Sequence, residues 1–212
     1  MDTLEFILNK YNLTEYRRMP VEIPNMGRDQ LPVLFHELNF RRGAEIGVAD
    51  GKFSEKICAG IQGVKLYCVD AWKIYPPAYR DYLEQEVLDR AYERARVRLK
   101  PFDVEIVNAF SVQAAQGFQD GSLDFVYIDA NHEYPYVTQD IVEWSRKVRS
   151  GGIISGHDYY ESTVVNSKCH VIPAVQGYAR AYRIHPWFVI GTKAKTPGLI
   201  RDKSRSWMWV KP

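Results

Sequence analysis

The pattern of hydrophobic and polar positions predicts strands that alternate with helices along most of the chain. Short apolar runs recur between longer segments whose apolar residues lie three or four positions apart. The runs are typical of strands buried on both faces, and the longer spacing is typical of helices that bury one side. Strands are predicted at residues 43–48, 65–69, 104–108, 123–128, 153–155, 187–192 and 206–210.

Helices are predicted before the first of these strands and between the later ones. An amphipathic helix within residues 1–20 is followed by a link that Pro20 and Pro24 break. Asp29 is predicted to cap the next helix, which runs to about residue 39. The remaining helices are predicted at residues 53–59, 78–99, 112–117, 136–149 and 173–182.

This alternation predicts an α/β fold that is doubly wound. We expect a mostly parallel sheet of seven strands, with helices on both faces and an antiparallel hairpin at the C-terminal end. The 212 residues are enough for one sizeable core. No repeat, low-complexity tract or linker divides them, so a single domain is predicted. Residues 1–40 would form an N-terminal helical segment and residues 41–212 the core that carries the site.

Composition and charge disfavour several classes of protein. Hydrophobic residues make up 46% of the chain and charged residues 25%, as in soluble globular proteins. The net charge of +2, without a block of lysine and arginine, disfavours a nucleic-acid partner. No segment approaches the roughly 20 apolar residues of a membrane helix, and no signal peptide is recognisable. Cys58, Cys68 and Cys169 form no CxxC pair, which favours a reducing compartment. We therefore expect a cytoplasmic protein that binds neither nucleic acid nor membranes.

The segment RGAEIGVADGKFS, residues 42–54, is the first candidate for chemistry. Glu45 lies in an apolar run, where a polar group is costly unless it has a partner or a role. Gly47 and Gly51 permit backbone conformations that other residues resist, and they let a ligand approach the main chain. The spacing E-x-G-x-x-x-G is not the G-x-G-x-x-G of dinucleotide-binding proteins. Taken alone, it fits a tight strand-to-helix turn as well as a cofactor site.

Polar side chains also follow four of the five predicted parallel strands. Ligands of an open parallel sheet bind beyond the C-terminal ends of its strands, where these side chains would meet. A single aspartate there would be an ordinary turn residue, but several converging on one edge predict a functional site. The side chains are Glu45, Asp50, Asp70, Asp129, Asn131, His132, His157 and Asp158.

Asp70 points to a cofactor that contains a nucleoside. It follows the second strand at about the spacing, roughly 20 residues beyond the glycine turn, at which an acid holds the ribose hydroxyls. A carboxylate suits this place because it accepts hydrogen bonds from two hydroxyl groups. The alternative role for Asp70 is to cap a turn or a helix.

Four segments, in this order and spacing, resemble the class I S-adenosylmethionine-dependent methyltransferases. They are GAEIGVADG, LYCVDAW, LDFVYIDANHEYPYVTQDI and GGIISGHDY. The similarity extends from about residue 43 to the C-terminal SWMWVKP. It is greatest to a small single-domain branch with an I-D-x-x-H-x-Y motif. The layout is also similar to that of metal-dependent small-molecule O-methyltransferases, and it implies a Rossmann-like sheet and S-adenosylmethionine as cofactor.

The resemblance implies a role for each part of the cofactor site. The glycine turn would lie against the amino-acid part of the cofactor, and the acid after the second strand would bind the ribose. The segment after the third strand would flank the adenine, and Asp129 would face the methyl-donor end. The residues implied are Glu45, Gly47, Val48, Gly51, Asp70, Ala71, Trp72, Asn108, Ala109, Phe110, Ser111 and Asp129.

Methyl transfer needs alignment of the acceptor and control of its proton, because the sulfonium is already a good leaving group. His132 and His157 are the candidate bases, since the ordinary pKa of histidine lies near working pH. Asp129 is the third candidate catalytic residue. Each histidine could instead be a structural hydrogen-bonding residue.

Asp129 and Asp158 end neighbouring strands and could share a divalent metal. Carboxylate oxygens suit magnesium, and an added imidazole from His157 would favour manganese, iron or zinc. The O-methyltransferases that the chain resembles place acidic metal ligands at these two strand ends. They usually carry a second Asp or an Asn beside the strand-five Asp, where this chain has His157 and Tyr159. Without a metal, the two carboxylates would repel, and one would be protonated or hydrogen-bonded.

The predicted function is methyl transfer from S-adenosylmethionine to a hydroxyl of a small-molecule acceptor. Aromatic residues near the site could stack on a flat or sugar acceptor, or could simply pack the loops. They are Trp72, Tyr75, Tyr79, Tyr82, Tyr159 and Tyr160. The alternatives are a cofactor-binding protein without turnover and a nucleotide-dependent oxidoreductase or sugar-modifying enzyme. A homodimer is left open.

Overall fold

A computed structural model describes residues 2–14, 16–74, 84–162 and 168–212. Within these residues one central sheet is flanked by helices. Its strands are Val21–Ile23 (β1), Arg42–Ile46 (β2), Lys65–Asp70 (β3), Val104–Asn108 (β4), Leu123–Ile128 (β5), Val148–Gly156 (β6), Phe188–Ile190 (β7) and Ser206–Val210 (β8). The helices are Thr3–Lys10 (α1), Leu31–Glu37 (α2), Lys52–Gly60 (α3), Gln85–Leu99 (α4), Ser111–Ala115 (α5), Tyr134–Lys147 (α6) and Val171–Ala181 (α7).

The strand order is β1-β7-β8-β6-β5-β2-β3-β4. The strands β2 to β6 are parallel to their neighbours among themselves, whereas β8 is antiparallel to both β6 and β7. The chain moves outward through β3 and β4 on one side of β2 and through β5 and β6 on the other. The predicted doubly wound, mostly parallel fold with antiparallel C-terminal strands is confirmed. A ligand site is expected beyond the ends of β2 and β5, where the order reverses.

The prediction of seven strands was wrong, because the described residues contain an eighth, β1. It pairs in parallel with β7 at the edge of the sheet, and the N–H of Val21 donates to the carbonyl of Trp187 at 2.9 Å. Pro20 and Pro24 suggested a broken link, but they flank the strand rather than interrupt it. Proline is tolerated beside an edge strand because it removes no donor from the paired residues. The segment predicted as helical therefore also contributes to the sheet.

Asp29 does not cap a helix, contrary to the prediction. A 3-10 turn, Arg28–Gln30, follows Gly27, and α2 begins directly after this turn. The carboxylate of Asp29 instead pairs with Lys56 at 2.5 Å. Proline in the first turn of α2 lacks an N–H, which reduces the need for a capping side chain.

Other predicted bounds shift by a few residues. The helix predicted from residue 78 is described only from Gln85 onward, because residues 75–83 lie outside the described part. Strand β6 begins at Val148, five residues before its predicted start at residue 153, and its pairing with β5 is irregular near Leu123. A positive φ of 74° at Gly151 accompanies this irregular start, which obscured the strand in the sequence.

Two apolar layers cover the faces of the sheet. Helices α1 to α4 pack on one face, and α5 to α7 pack on the other. Successive side chains of a strand point to opposite faces, so Ala44 and Ile46 enter the second layer and Glu45 between them faces the first. No helix in the described ranges is both long and apolar enough to cross a membrane.

Candidate active site

A cavity of about 480 Å³ opens beyond the C-terminal ends of the strands where their order reverses. It is bounded by the turn after β2, the ends of β3 and β5, and one side of α3 and α4. This volume lies in the range of roughly 300–1,000 Å³ that holds cofactors and small ligands. A smaller hollow of about 230 Å³ adjoins it and shares Ala71, Lys73 and Ala109 with its lining. Asn108 and Phe110 line the smaller hollow, and Ser111 lines the larger cavity.

The glycine turn forms the floor of the cavity. Gly47 has a φ of +90°, and a Cβ built on it would lie 2.1 Å from the backbone oxygen of Asp129. Only glycine permits both this conformation and this close approach. Gly51, with a φ of +78°, immediately precedes α3, and a Cβ built on it would lie 3.3 Å from Ala95 on α4. Gly47 and Val48 line the cavity, and Gly51 supports the turn from the side of α4.

Glu45 lies beneath this turn with only 1% of its surface exposed. Its carboxyl accepts a short hydrogen bond from the hydroxyl of Ser54 on α3. Burial raises the pKa of Glu45 to about 8, although the Ser54 bond and the charge of Arg28 act in the opposite direction. The carboxyl is therefore mostly protonated at neutral pH. Ser54 supplies the partner that a polar group in a buried strand requires.

Asp70 ties the end of β3 to the glycine turn. One carboxylate oxygen accepts hydrogen bonds from the N–H groups of Val48 and Ala49, both at 2.9 Å, and the other accepts one from Trp72 at 2.8 Å. Burial raises the pKa of Asp70, and these backbone bonds oppose the increase. These backbone hydrogen bonds match the alternative role of Asp70, which is to cap a turn. The N–H of Ala71 also acts on this carboxylate, and ribose binding stays a prediction.

Two of the aromatic residues proposed for the acceptor pack inside the protein. The indole of Trp72 donates to the carbonyl of Ala49 at 2.8 Å, and its ring lies 4.8 Å from that of Tyr92. Tyr159 is buried and packs edge-on against Trp187. Trp72 and Tyr159 therefore fit the alternative in which the aromatic residues pack the loops and do not stack on an acceptor. The predicted Tyr75, Tyr79 and Tyr82 lie outside the described residues.

Ser111 belongs to a buried hydrogen-bond network under the predicted adenine segment. Its hydroxyl donates a short bond to Asp140 and accepts one from the indole of Trp144 at 2.9 Å, both on α6. Burial raises the pKa of Asp140 to about 7, although the bond from Ser111 lowers it. This network fixes the start of α5, and neither partner on α6 was identified from the sequence.

Asp129, His132 and Asp158 form a cluster in which one ligand atom of each lies within 4.8 Å of the others. The His132 Nε2 atom lies 3.0 Å from Asp158 Oδ2 and 3.5 Å from Asp129 Oδ1. Nδ1 of His157 is more distant, at 3.4 Å from Asp158 and 3.8 Å from Asp129. The sequence predicted His157 as the imidazole of a metal site, whereas the described geometry groups His132 with the two carboxylates.

The opposite charges in this cluster shift the pKa values of its members. Burial acts to lower the pKa of His132, but hydrogen bonds and charge from Asp129 and Asp158 raise it to about 10. Burial acts to raise the pKa of Asp158, but His132 and His157 hold it well below its usual range. The site therefore pairs an imidazolium with carboxylates.

Arg28 is a cavity residue that the sequence did not reveal. Its guanidinium lies 4.1 Å above the ring of Phe53 and 5.2 Å from that of Tyr127, and Nη2 lies 2.9 Å from Asp129 Oδ2. Burial acts to lower the pKa of Arg28, and neighbouring acidic groups reverse this and raise it. The partner Asp129 is 101 positions away in sequence, so no local pattern could have indicated the contact.

Comparison with known proteins identifies the family. A family model described as a methyltransferase domain matches residues 44–159, which is more than half of the chain. The chain belongs to this methyltransferase family. The uncharacterized protein y4gI of Sinorhizobium fredii is 24% identical over 131 residues, or 59% of this chain. This chain spans only 14% of the length of that curated relative.

Solved structures share the fold. An O-methyltransferase from Bacillus cereus, in complex with S-adenosylhomocysteine, has a TM-score of 0.60 at 16% identity, covering 99% of this chain and 90% of its own. N-methyltransferase NodS from Bradyrhizobium japonicum has a TM-score of 0.54 at 14% identity, covering 87% of this chain and 94% of its own. The class I methyltransferase predicted from the four segments is confirmed at the level of family and fold.

Proposed function

We propose that the protein transfers a methyl group from S-adenosylmethionine to a hydroxyl of a small-molecule acceptor. One observation carries this proposal: the cluster of Asp129, His132 and Asp158 adjoins a cavity of cofactor size whose floor is the glycine turn. Residues 44–159, which the methyltransferase family model matches, span all three positions. We further propose that residues 1–212 act as one methyltransferase domain.

The cofactor would extend across the cavity from the glycine turn to the start of α5. Its amino-acid part would lie against Gly47 and Val48, and its ribose near the carboxylate of Asp70. The adenine would lie beside the segment that ends at Ser111, whose hydroxyl is already bonded to α6. The B. cereus O-methyltransferase, which binds S-adenosylhomocysteine in the same fold, supports this arrangement.

The acid and histidine residues would control the proton of the acceptor. His132 is the only ring in the cluster that contacts both carboxylates within 3.5 Å among the described residues. Asp158 would fix the orientation of that ring, and Asp129, which lies beside it, would face the methyl-donor end. Because His132 is protonated in this cluster, Asp129 would accept the proton of the acceptor hydroxyl as the methyl group moves, and His132 would donate hydrogen bonds that hold the carboxylates in place. His157 would act as a second hydrogen-bonding partner of Asp158.

The donor set also fits a divalent metal. Two carboxylates and one imidazole suit manganese better than magnesium, which prefers oxygen ligands alone. Asp129, His132 and Asp158 would hold the ion. Such an ion would lower the pKa of the acceptor hydroxyl. Against this, Arg28 already neutralises Asp129 and His132 already neutralises Asp158, so the carboxylates have cationic partners within the chain.

Calorimetry and turnover test the proposal together. S-adenosylhomocysteine should bind with micromolar affinity, and radiolabelled methyl should pass to members of a panel of small hydroxylated compounds. A matched panel of amines tests nitrogen acceptors. Repeating both measurements with manganese, with magnesium and with a chelator tests the metal. Cofactor binding without turnover on any acceptor would favour the binding-protein alternative. Competition by a nicotinamide nucleotide, without binding of S-adenosylhomocysteine, would favour the oxidoreductase.

A further inference from the structure

The cavity contains a cation whose role the proposed chemistry does not explain, the guanidinium of Arg28. We propose that Arg28 binds the carboxylate of the cofactor's amino-acid part and connects it to Asp129. This role rests on the proposed function, because it requires a cofactor that places a carboxylate beside the glycine turn.

Arg28 lies at the end of the cavity where the amino-acid part of the cofactor is expected. Its guanidinium rests on Phe53, which follows the glycine turn on α3, at 4.1 Å from the ring centre. It bonds Asp129 at the end of β5, and it lines the same cavity as Glu45 of β2. The guanidinium is thus bordered by the elements before and after the turn.

Arg28 has more N–H groups than the described residues accept hydrogen bonds from. A guanidinium carries five N–H groups in a planar fork. In the described part of the chain, the one hydrogen-bond partner of Arg28 is Asp129, whose Oδ2 atom lies 2.9 Å from Nη2. Nε is buried against the protein, and the side chain keeps 26% of its surface exposed while lining the cavity. A ligand carboxylate matches the open edge of such a fork and forms a strong, charge-assisted pair with it.

The lysines that line the cavity, Lys52, Lys56 and Lys73, are all exposed and are less suited to this role. Lys52 is 72% exposed and pairs with Asp50 at 3.0 Å, and Lys56 is 53% exposed and pairs with Asp29. Their flexible chains would lose conformational freedom on binding, whereas the rings of Phe53 and Tyr127 already hold Arg28 in place. Arg28 is therefore the cation that is already held in position at the end of the cavity where the amino-acid part of the cofactor is expected.

Two ligands that differ by one carboxylate test the assignment directly. Calorimetry would measure S-adenosylhomocysteine and its decarboxylated analogue, S-adenosyl-3-thiopropylamine, on the wild-type protein, Arg28→Gln and Arg28→Lys. Lys52→Gln is the matched control, because it removes an exposed cation from the same cavity. Thermal melting of each variant, without ligand, checks the fold.

We expect Arg28→Gln to bind S-adenosylhomocysteine about 10- to 100-fold more weakly, the range of a lost charged hydrogen bond, and to bind the analogue no more weakly than wild type. Arg28→Lys keeps the charge without the fork, so its loss should be intermediate. Lys52→Gln should change neither affinity by more than about threefold. Equal losses for both ligands, or no loss for either, would overturn the role of Arg28 while leaving the proposed function intact. No binding of S-adenosylhomocysteine to the wild-type protein would overturn both.

Discussion

Glu45→Gln tests whether burial beneath the cofactor site raises the pKa of the Glu45 carboxyl and so makes the stability of the fold depend on pH. The folded protein raises the pKa of Glu45 to about 8, whereas the ordinary value is 4.5. Between these pH values the folded state binds a proton that the unfolded state has lost. The free energy of unfolding therefore falls as pH rises from about 4.5 to about 8, and this contribution is constant above pH 8. This is the reverse of the usual behaviour of an ion-paired carboxylate.

The magnitude follows from the two pKa values. They differ by about 3.5, and each pKa unit corresponds to about 1.4 kcal/mol, so Glu45 lowers the free energy of unfolding by about 5 kcal/mol across this range. Glutamine retains the shape of the side chain and an oxygen that can accept from Ser54, but it cannot ionise. Glu45→Gln should match wild type near pH 5 and become progressively more stable than wild type toward pH 8.

Chemical denaturation at a series of pH values between 5 and 9 would measure this difference. Glu86→Gln is the matched control, because that side chain is 84% exposed, and its profile should parallel that of wild type. Profiles for Glu45→Gln and wild type that remain parallel would refute the argument. Such a result would mean that Glu45 ionises in the folded protein at its ordinary pKa.

Three further substitutions test other parts of the site. Asp70→Ala should weaken binding of S-adenosylhomocysteine by about 1–3 kcal/mol in calorimetry if the carboxylate binds the ribose; an unchanged affinity together with a lower melting temperature would assign it to turn capping alone. Gly47→Ala should lower the free energy of unfolding by about 2 kcal/mol or more in urea denaturation, because its φ is +90° and the new Cβ meets the backbone at residue 129; a stability equal to wild type would contradict that contact. Asp158→Asn should reduce the turnover number and abolish any dependence on metal while sparing cofactor affinity, and loss of both in equal measure would indicate damage to the fold instead.

The sequence predicted the central sheet well because its strands are marked by their own composition. The run at residues 123–128 is apolar except for Asp124 and follows the turn residues Asp120 and Gly121, and the structure has β5 at Leu123–Ile128. Strand β1 is only three residues long, and its stability comes from pairing with β7 far along the chain. A segment this short carries no periodicity of its own, so only the tertiary partner identifies it.

The candidate site was predictable only in part, for a similar reason. Asp129, His132 and Asp158 could be grouped because each follows a strand end, and strand ends of a parallel sheet converge. Which histidine joins the carboxylates depends on side-chain direction, and the spacing of His132 and His157 does not determine it. Arg28 was missed because it lies in a 3-10 turn and reaches Asp129 across 101 positions of the sequence, a contact that no motif in the sequence indicates.

The position of β8 has a consequence for how the protein is made. This strand lies between β6 and β7, and it is antiparallel to both. As the ribosome delivers the chain, β2 to β6 can pair with one another once residue 156 has emerged, but β7 and β1 have no place in the sheet until residues 206–210 arrive. Until then the edge of β6 carries unpaired backbone groups and could pair with another chain. Nascent chains that stall between these points should therefore be the ones most prone to aggregate.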